Sequence, residues 1–239
     1  MKPRYDEGTA YLADKGLNLV GVIDVNALPM SVQEPLRELG VVLEEYSRLV
    51  VIGHAGRRMW EVLADDGRDV PDPVDSFSIR HTTHFVENYL EDDTWRLLYP
   101  SDLFFPLNEL GELAGWGKSS PLFIGIHAEY GLWWAYRTVF LTKKPLPLSG
   151  QEVQPHPCDS CVDKPCISIC PASALGLDAA FNIYACADYR AEANSQCSHQ
   201  CMARLACPVG AQHRYTREQI DYHYGLSLET IKAYKAGEF

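Results

Sequence analysis

All eight cysteines of this 239-residue chain lie between Cys158 and Cys207. They read Cys158-x2-Cys161-x4-Cys166-x3-Cys170-Pro and then Cys186-x10-Cys197-x3-Cys201-x5-Cys207-Pro, so two halves each end in Cys-Pro. Bacterial ferredoxins carry C-x2-C-x2-C-x3-C-P, and with two clusters the fourth cysteine ligates the other cluster. Short spacings let three thiolates converge on one cubane, and a residue before proline is held extended, which turns the chain toward the neighbouring site. On that pattern one cluster takes Cys158, Cys161, Cys166 and Cys207, and the other takes Cys170, Cys186, Cys197 and Cys201. The x4 gap and the stretched second half depart from the ferredoxin spacing, so the loops must bulge, and Cys186 lies farthest from its partners in sequence.

Two other uses of eight thiols compete. Paired four-cysteine zinc sites favour C-x2–4-C spacings and give no reason for a repeated Cys-Pro. Disulfides require an oxidising compartment. The amino-terminal stretch "MKPRYDEGTAYLADKG" lacks the apolar centre of a secretory leader, and no apolar run approaches the roughly 18 residues of a membrane span. The expectation is therefore a cytoplasmic protein with reduced thiols and no membrane partner. His156 and His199, beside the ligands, read as loop residues or donors to a cluster sulfur.

The remaining composition describes a folded chain: 46% hydrophobic and 11% aromatic residues can bury a substantial core. A formal charge of −11 repels phosphate backbones and anionic lipid, so general nucleic-acid binding is not expected. The proline-rich stretch "TKKPLPLSGQEVQPHP" (142–157) reads as a connector. It divides a first domain, 1–150, from a cysteine-bearing domain, 151–239.

In the first part, "LNLVGVIDV" (17–25) and "RLVVIGHAG" (48–56) predict buried strands. Residues 31–46 and 56–67 predict helices, the first with Ser31 and Glu34 as a capping box. Helical spacing of Phe77, Phe85 and Leu90, a strand at "TWRLLYP", a helix over 107–117 and two strands joined by a turn around Glu129–Gly131 complete an α/β or α+β layer structure. The segment "GWGKSS" is no phosphate loop, because Glu112 stands where the first glycine of GxxxxGK(S/T) belongs.

The order "GWGKSS…IHAEYGLWW…VFLTKKPLPL" leading into "CDSC…CP" resembles epoxyqueuosine reductase, a cobalamin-dependent family, and the related reductive dehalogenases. "DPVDSFSIRHTTHF" with "IHAEYGLWWAYRTVFL" is also similar to the vitamin B12 processing protein. The match is best over about 113–208 and weaker over 17–100. No HEAT-type helical extension follows it. The resemblance implies an α+β fold: a nitroreductase-like domain binding cobalamin, then a ferredoxin-like domain with two 4Fe-4S clusters and a C-terminal helical tail. It places Gly117, Lys118 and Ser119 where the family's backbone passes the corrin, and His127, Tyr130, Gly131 and Trp133 where its turn lines the same cavity. Aromatics at alternating strand positions also build cores, so Trp133, Trp134 and Tyr136 admit that reading equally.

The family's acidic proton donor lies in a "GRDYH"-like segment, and alignment with "RHTTH" (80–84) puts Thr82 in its place. A threonine hydroxyl does not deliver a proton at neutral pH as a carboxylic acid does. Either His81 or His84 takes over, or the chemistry differs. Three functions follow: an iron–sulfur oxidoreductase passing electrons to a corrinoid for reductive chemistry on a further substrate, a cobalamin reductase or trafficking protein, or an electron carrier whose first domain only docks. Each takes electrons from a low-potential donor of the ferredoxin or flavodoxin type.

Overall fold

The computed structural model describes residues 2–66, 70–101, 105–150, 155–177 and 180–238. It divides into two compact units, Met1–Gly117 with Trp134–Gln154, and Lys118–Trp133 with Pro155–Phe239. The division expected near residue 150 thus differs in one segment: 118–133 groups with the cysteines. Part of the connector, 151–154, lies outside the described residues.

The chain runs α1 (Lys2–Asp14), β1 (Leu19–Asp24), α2 (Met30–Glu38), β2 (Arg48–Ala55), α3 (Arg58–Asp66), α4 (Pro73–Phe85), β3 (Arg96–Tyr99) and α5 (Leu107–Leu113). The short strands β4 (Lys118–Ser119) and β5 (Gly125–Ile126) belong to the second unit, before β6 (Trp134–Thr142) returns to the first. The first unit is α+β, with a four-stranded antiparallel sheet in the order β1-β2-β6-β3. The uninterrupted apolar run of "LVVIGHA" belongs to a strand covered on both faces, and every residue of Leu49–Ala55 is buried between β1 and β6. Phe77 and Phe85 of α4 and Phe140 of β6 are almost fully buried, each contributing roughly 1.5–3 kcal/mol of transfer free energy.

Helix boundaries differ from the sequence pattern: the helix expected over 107–117 ends at Leu113, before Gly115 takes a left-handed φ of +77°. The helix expected over 31–46 stops at Glu38, because Gly40 takes a left-handed φ of +70°, and 43–45 form one separate 3-10 turn. The capping box does not form: Pro29 occupies the N-cap, and the Ser31 hydroxyl donates instead to the Glu109 carboxylate at 2.8 Å. Of the two strands expected before residue 142, the first is reduced to β5, and 127–131 close as a turn bridged at His127 and Gly131.

The second unit holds α6 (Pro165–Ser168), α7 (Ile183–Ala191), α8 (Met202–Ala206) and α9 (Arg217–Ala236) with the β4–β5 hairpin. Thr216 caps α9 by accepting from the Gln219 amide at 3.1 Å. Its core includes Trp133, Tyr215 and Ile220, with a second cluster of Ile126, Leu132 and Cys207. Among the described residues, no helix is long and apolar enough to cross a membrane.

Candidate functional site

Local chain geometry presents the thiols. Cys158 opens a turn in which the Cys161 amide donates to its carbonyl at 3.3 Å. Cys166 sits in α6, started by Pro165, and Cys170 follows that helix. Cys186 projects from α7, while Cys201 caps α8, its sulfur accepting from the Arg204 amide at 3.4 Å. Cys207 ends α8 in an extended conformation before Pro208, as a residue preceding proline should.

The eight thiols line two cavities. Cys170, Cys186, Cys197 and Cys201 share one of about 150 Å³, whose wall also includes Phe181, Tyr224 and Arg190. Cys158, Cys161, Cys166 and Cys207 share a smaller one of about 20 Å³. The last cysteine of each half therefore crosses to the other half's set. All eight are free.

Electrostatics follows the same division. Burial pushes the Cys158 thiol up to about 11, and Cys207, Cys166 and Cys161 add to the shift. Burial raises Cys186 to about 11, reinforced by Cys201, Cys170 and Cys197. Neither thiol is perturbed by a cysteine of the other set. Crowded, half-buried thiols resist ionisation unless cations join them. Among the described residues no group of His, Cys, Asp or Glu converges tightly enough to hold a single metal ion. One zinc at 2.3 Å from each sulfur would bring thiolates to roughly 3.8 Å of each other.

The residues expected near a corrin divide. Gly117 ends the first unit's leading segment, while Lys118, Ser119, His127, Tyr130, Gly131 and Trp133 belong to the second unit. Lys118 and Ser119 form β4 with exposed side chains. The His127 ring is turned inward, its Nδ1 accepting from the Glu129 and Tyr130 amides at 3.1 and 3.3 Å, and burial lowers its pKa. Gly131 has φ +58°, and a Cβ there would stand 1.9 Å from the Val209 carbonyl oxygen; at Gly210, φ +66°, a Cβ would stand 2.3 Å from the Tyr130 carbonyl carbon. The turn thus packs backbone to backbone against the loop after Cys207. Trp133, only 1% exposed, lies in the core against Tyr215, with the Arg204 guanidinium 4.7 Å from its ring centre. Its indole is a packing element of the thiol unit. His156 joins two segments of that unit: its Nε2 donates to the Ser119 carbonyl at 3.2 Å and its Nδ1 accepts from the Cys158 amide at 3.2 Å.

In the first unit, His81 is buried, with its Nδ1 hydrogen-bonded to the Tyr11 hydroxyl at 2.6 Å and its Nε2 3.7 Å from Asp66. Burial lowers its pKa, Arg80 adds to the effect, and Asp66 opposes it. His84 is exposed one turn later, with its ring against Tyr11. Thr82 has no exposed surface, and its hydroxyl is hydrogen-bonded to Thr138 at 2.8 Å in the α4–β6 interface. Position 82 is interior, so the missing carboxylate there says nothing about a proton donor. The sequence pattern passed over Asp75 on the same helix, whose first-turn place looked like ordinary helix-end chemistry. Burial raises its carboxyl pKa, opposed by Arg137. It also passed over Arg190 and Arg204, because arginines near helix ends normally read as solvated.

No protein-family model matches the chain, and no curated protein matches its sequence. Solved structures do match it. Epoxyqueuosine reductase from Bacillus subtilis, with its catalytic loop swung out of the active site, aligns with TM-score 0.60 and 15% identity over 90% of this chain and 68% of its own. An epoxyqueuosine reductase with an epoxyqueuosine-modified tRNA stem loop aligns with TM-score 0.62 and 14% identity over 92% and 68%. The C. elegans B12-trafficking protein CblC aligns with TM-score 0.52 and 13% identity over 98% and 97%. Two of the families named by the sequence resemblance, epoxyqueuosine reductase and the B12-processing protein, are thus structural neighbours, and at such identities the shared property is the fold.

Proposed function

We propose that the chain is an iron–sulfur oxidoreductase that carries two 4Fe-4S clusters and passes electrons to a corrinoid for reductive chemistry on a further substrate. In this reading the first unit is a nitroreductase-like domain and the second a ferredoxin-like one. The observation that carries the reading is the sorting of eight cysteines into two four-thiol cavities, in the crossed pairing that a two-cluster ferredoxin uses. The donor set fits: four soft ligands per cavity, apolar walls, and thiols whose ionisation needs a cationic partner. When bound, such clusters supply one-electron transfer. This chain's residues bind and bury them.

The corrinoid half rests on the likeness to both neighbour families and on the residues from Gly117 to Gly131, with Trp133 reassigned to packing. A proton for the reduced substrate comes from Asp75, the half-buried carboxyl held protonated to higher pH, or from His81 or His84. A cobalamin-trafficking role is the second reading, favoured by the near end-to-end alignment with CblC. A ferredoxin or flavodoxin supplies electrons in either case. One neighbour holds a tRNA stem loop, so a modified RNA enters as a candidate substrate, although −11 disfavours binding through bulk charge.

The test is anaerobic purification followed by iron, sulfide and cobalt analysis, titration with cob(II)alamin, and turnover assays on epoxyqueuosine-containing RNA. Two cubanes and a spectral change on titration support the proposal. Bound corrinoid without turnover favours trafficking, and clusters without corrinoid leave an electron carrier.

A further inference from the structure

The two thiol sets differ in the fixed positive charge around them. Arg190 follows Cys186 by one helical turn on α7 and forms part of the larger cavity's wall, 8% exposed. Its guanidinium rests on four oxygens: Nε donates to the Cys197 carbonyl at 3.2 Å, Nη1 to the Ser227 hydroxyl at 2.9 Å, and Nη2 to the carbonyls of Tyr224 at 2.9 Å and Ser198 at 3.4 Å. All four acceptors are neutral, so these bonds fix the cation in place without cancelling it. Arg204, three residues after Cys201, lies 5.0 Å from the ring centre of Tyr215 and donates to the Leu132 carbonyl at 3.1 Å. Arginine keeps its charge at any pH a protein survives.

Around the smaller cavity the nearest cations are Lys164, whose ammonium donates to the Cys158 carbonyl at 2.8 Å, and Arg214, which acts on Cys207. Lys164 is only half-buried, so solvent and salt screen it. Amide donors to sulfur do not separate the sites: Arg204 and Met202 serve Cys201 and Cys197, while Val209 and Ile167 serve Cys207 and Cys166. The difference left is Arg190, buried in the larger cavity's wall, whereas Lys164, Arg204 and Arg214 are all half-buried.

We propose that Arg190 makes the Cys170–Cys186–Cys197–Cys201 site the higher-potential of the two, so that a chain given one electron holds it there. The inference rests on the two-cluster reading above. A cubane with four thiolates is anionic, and reduction adds one negative charge, so a buried cation favours the reduced form. The reductant loses one electron, one cluster gains it, and no proton need move. Arg190 is a positioning residue in this respect, because it acts through charge and touches no substrate.

The experiment is an anaerobic redox titration of the full chain, reconstituted with iron and sulfide, using dithionite with mediators and EPR detection. Wild type should show two midpoints. In Cys161→Ser, which disrupts the smaller-cavity cluster, the surviving signal should be the upper one; survival of the lower one overturns the inference. Independently, Arg190→Gln should lower the upper midpoint alone, and Arg190→Lys should restore it. Folded variants with full iron whose midpoints both stay in place, or in which only the lower one moves, overturn it as well. Either experiment decides where the other variant fails to fold. A wild-type chain that takes up neither iron nor sulfide removes the two-cluster reading, and this inference with it.

Discussion

Cys158 and Cys207, the first and last cysteines of the chain, line the same small cavity. Their convergence requires that α8 return the chain to the turn it left near residue 161, and it makes Cys207 a member of the first thiol set. Cys207→Ser should therefore behave like Cys161→Ser and unlike Cys201→Ser. In each case iron should fall from about eight to about four atoms per chain, with the cluster of the other cavity retained. Iron and sulfide analysis with EPR checks this, and zinc without labile sulfide in wild type would sink the cluster assignment.

The contact between the turn at Gly131 and the loop at Val209 predicts a graded response to alanine. Gly131→Ala places a Cβ 1.9 Å from a backbone oxygen, whereas Gly40→Ala, also at positive φ, meets nothing within 4 Å. The second change should cost about 1 kcal/mol from backbone conformation alone. The first adds displacement of packed backbone and should cost more than about 3 kcal/mol in total. Denaturant unfolding of both variants measures the difference, and equal losses would refute the close contact.

His81 predicts acid sensitivity of the first unit. Burial lowers its folded-state pKa below the ordinary 6.5, so below about 6.5 the unfolded chain binds the proton that the folded chain refuses. The stability associated with neutral His81 is thus present above that value and is lost as pH falls through the folded pKa. Thermal unfolding should move to lower temperature on acidification from pH 7 to 5, with a shallower dependence in His81→Gln. An identical slope in the variant would rule out this cause.

Asp75 predicts the opposite sign. Its carboxyl is raised above the ordinary 3.8 by burial, so its folded form keeps a proton to higher pH than the unfolded form does. Stability from this group is present below about 3.8 and falls as pH rises through the folded pKa. Carbon NMR of the side-chain carboxyl should show the raised titration, and Arg137→Gln should raise it further by removing the opposing charge. A titration at or below 3.8 would remove Asp75 as a proton donor in the proposed chemistry.

Covalent spacing made part of this protein legible without coordinates. Thiols a few residues apart with proline after the fourth have few ways to converge, so the crossed sets, with Cys170 in one and Cys207 in the other, were readable from residue numbers. The buried strand from Leu49 to Ala55 was equally plain, because a β-branched run without alternation fits only a strand covered on both faces. Tertiary structure alone decided the rest. Trp133 sits one residue before β6 yet packs with Tyr215, and Thr82 occupies the place of an expected acid yet faces Thr138, because burial depends on partners remote in sequence. Arg190 and Arg204 look like solvated helix residues in any local window. Only the folded chain brings the carbonyls of Cys197, Tyr224 and Leu132 to their guanidinium groups, and the bonds to Cys197 and Tyr224 are what let the Arg190 charge lie buried beside the thiols.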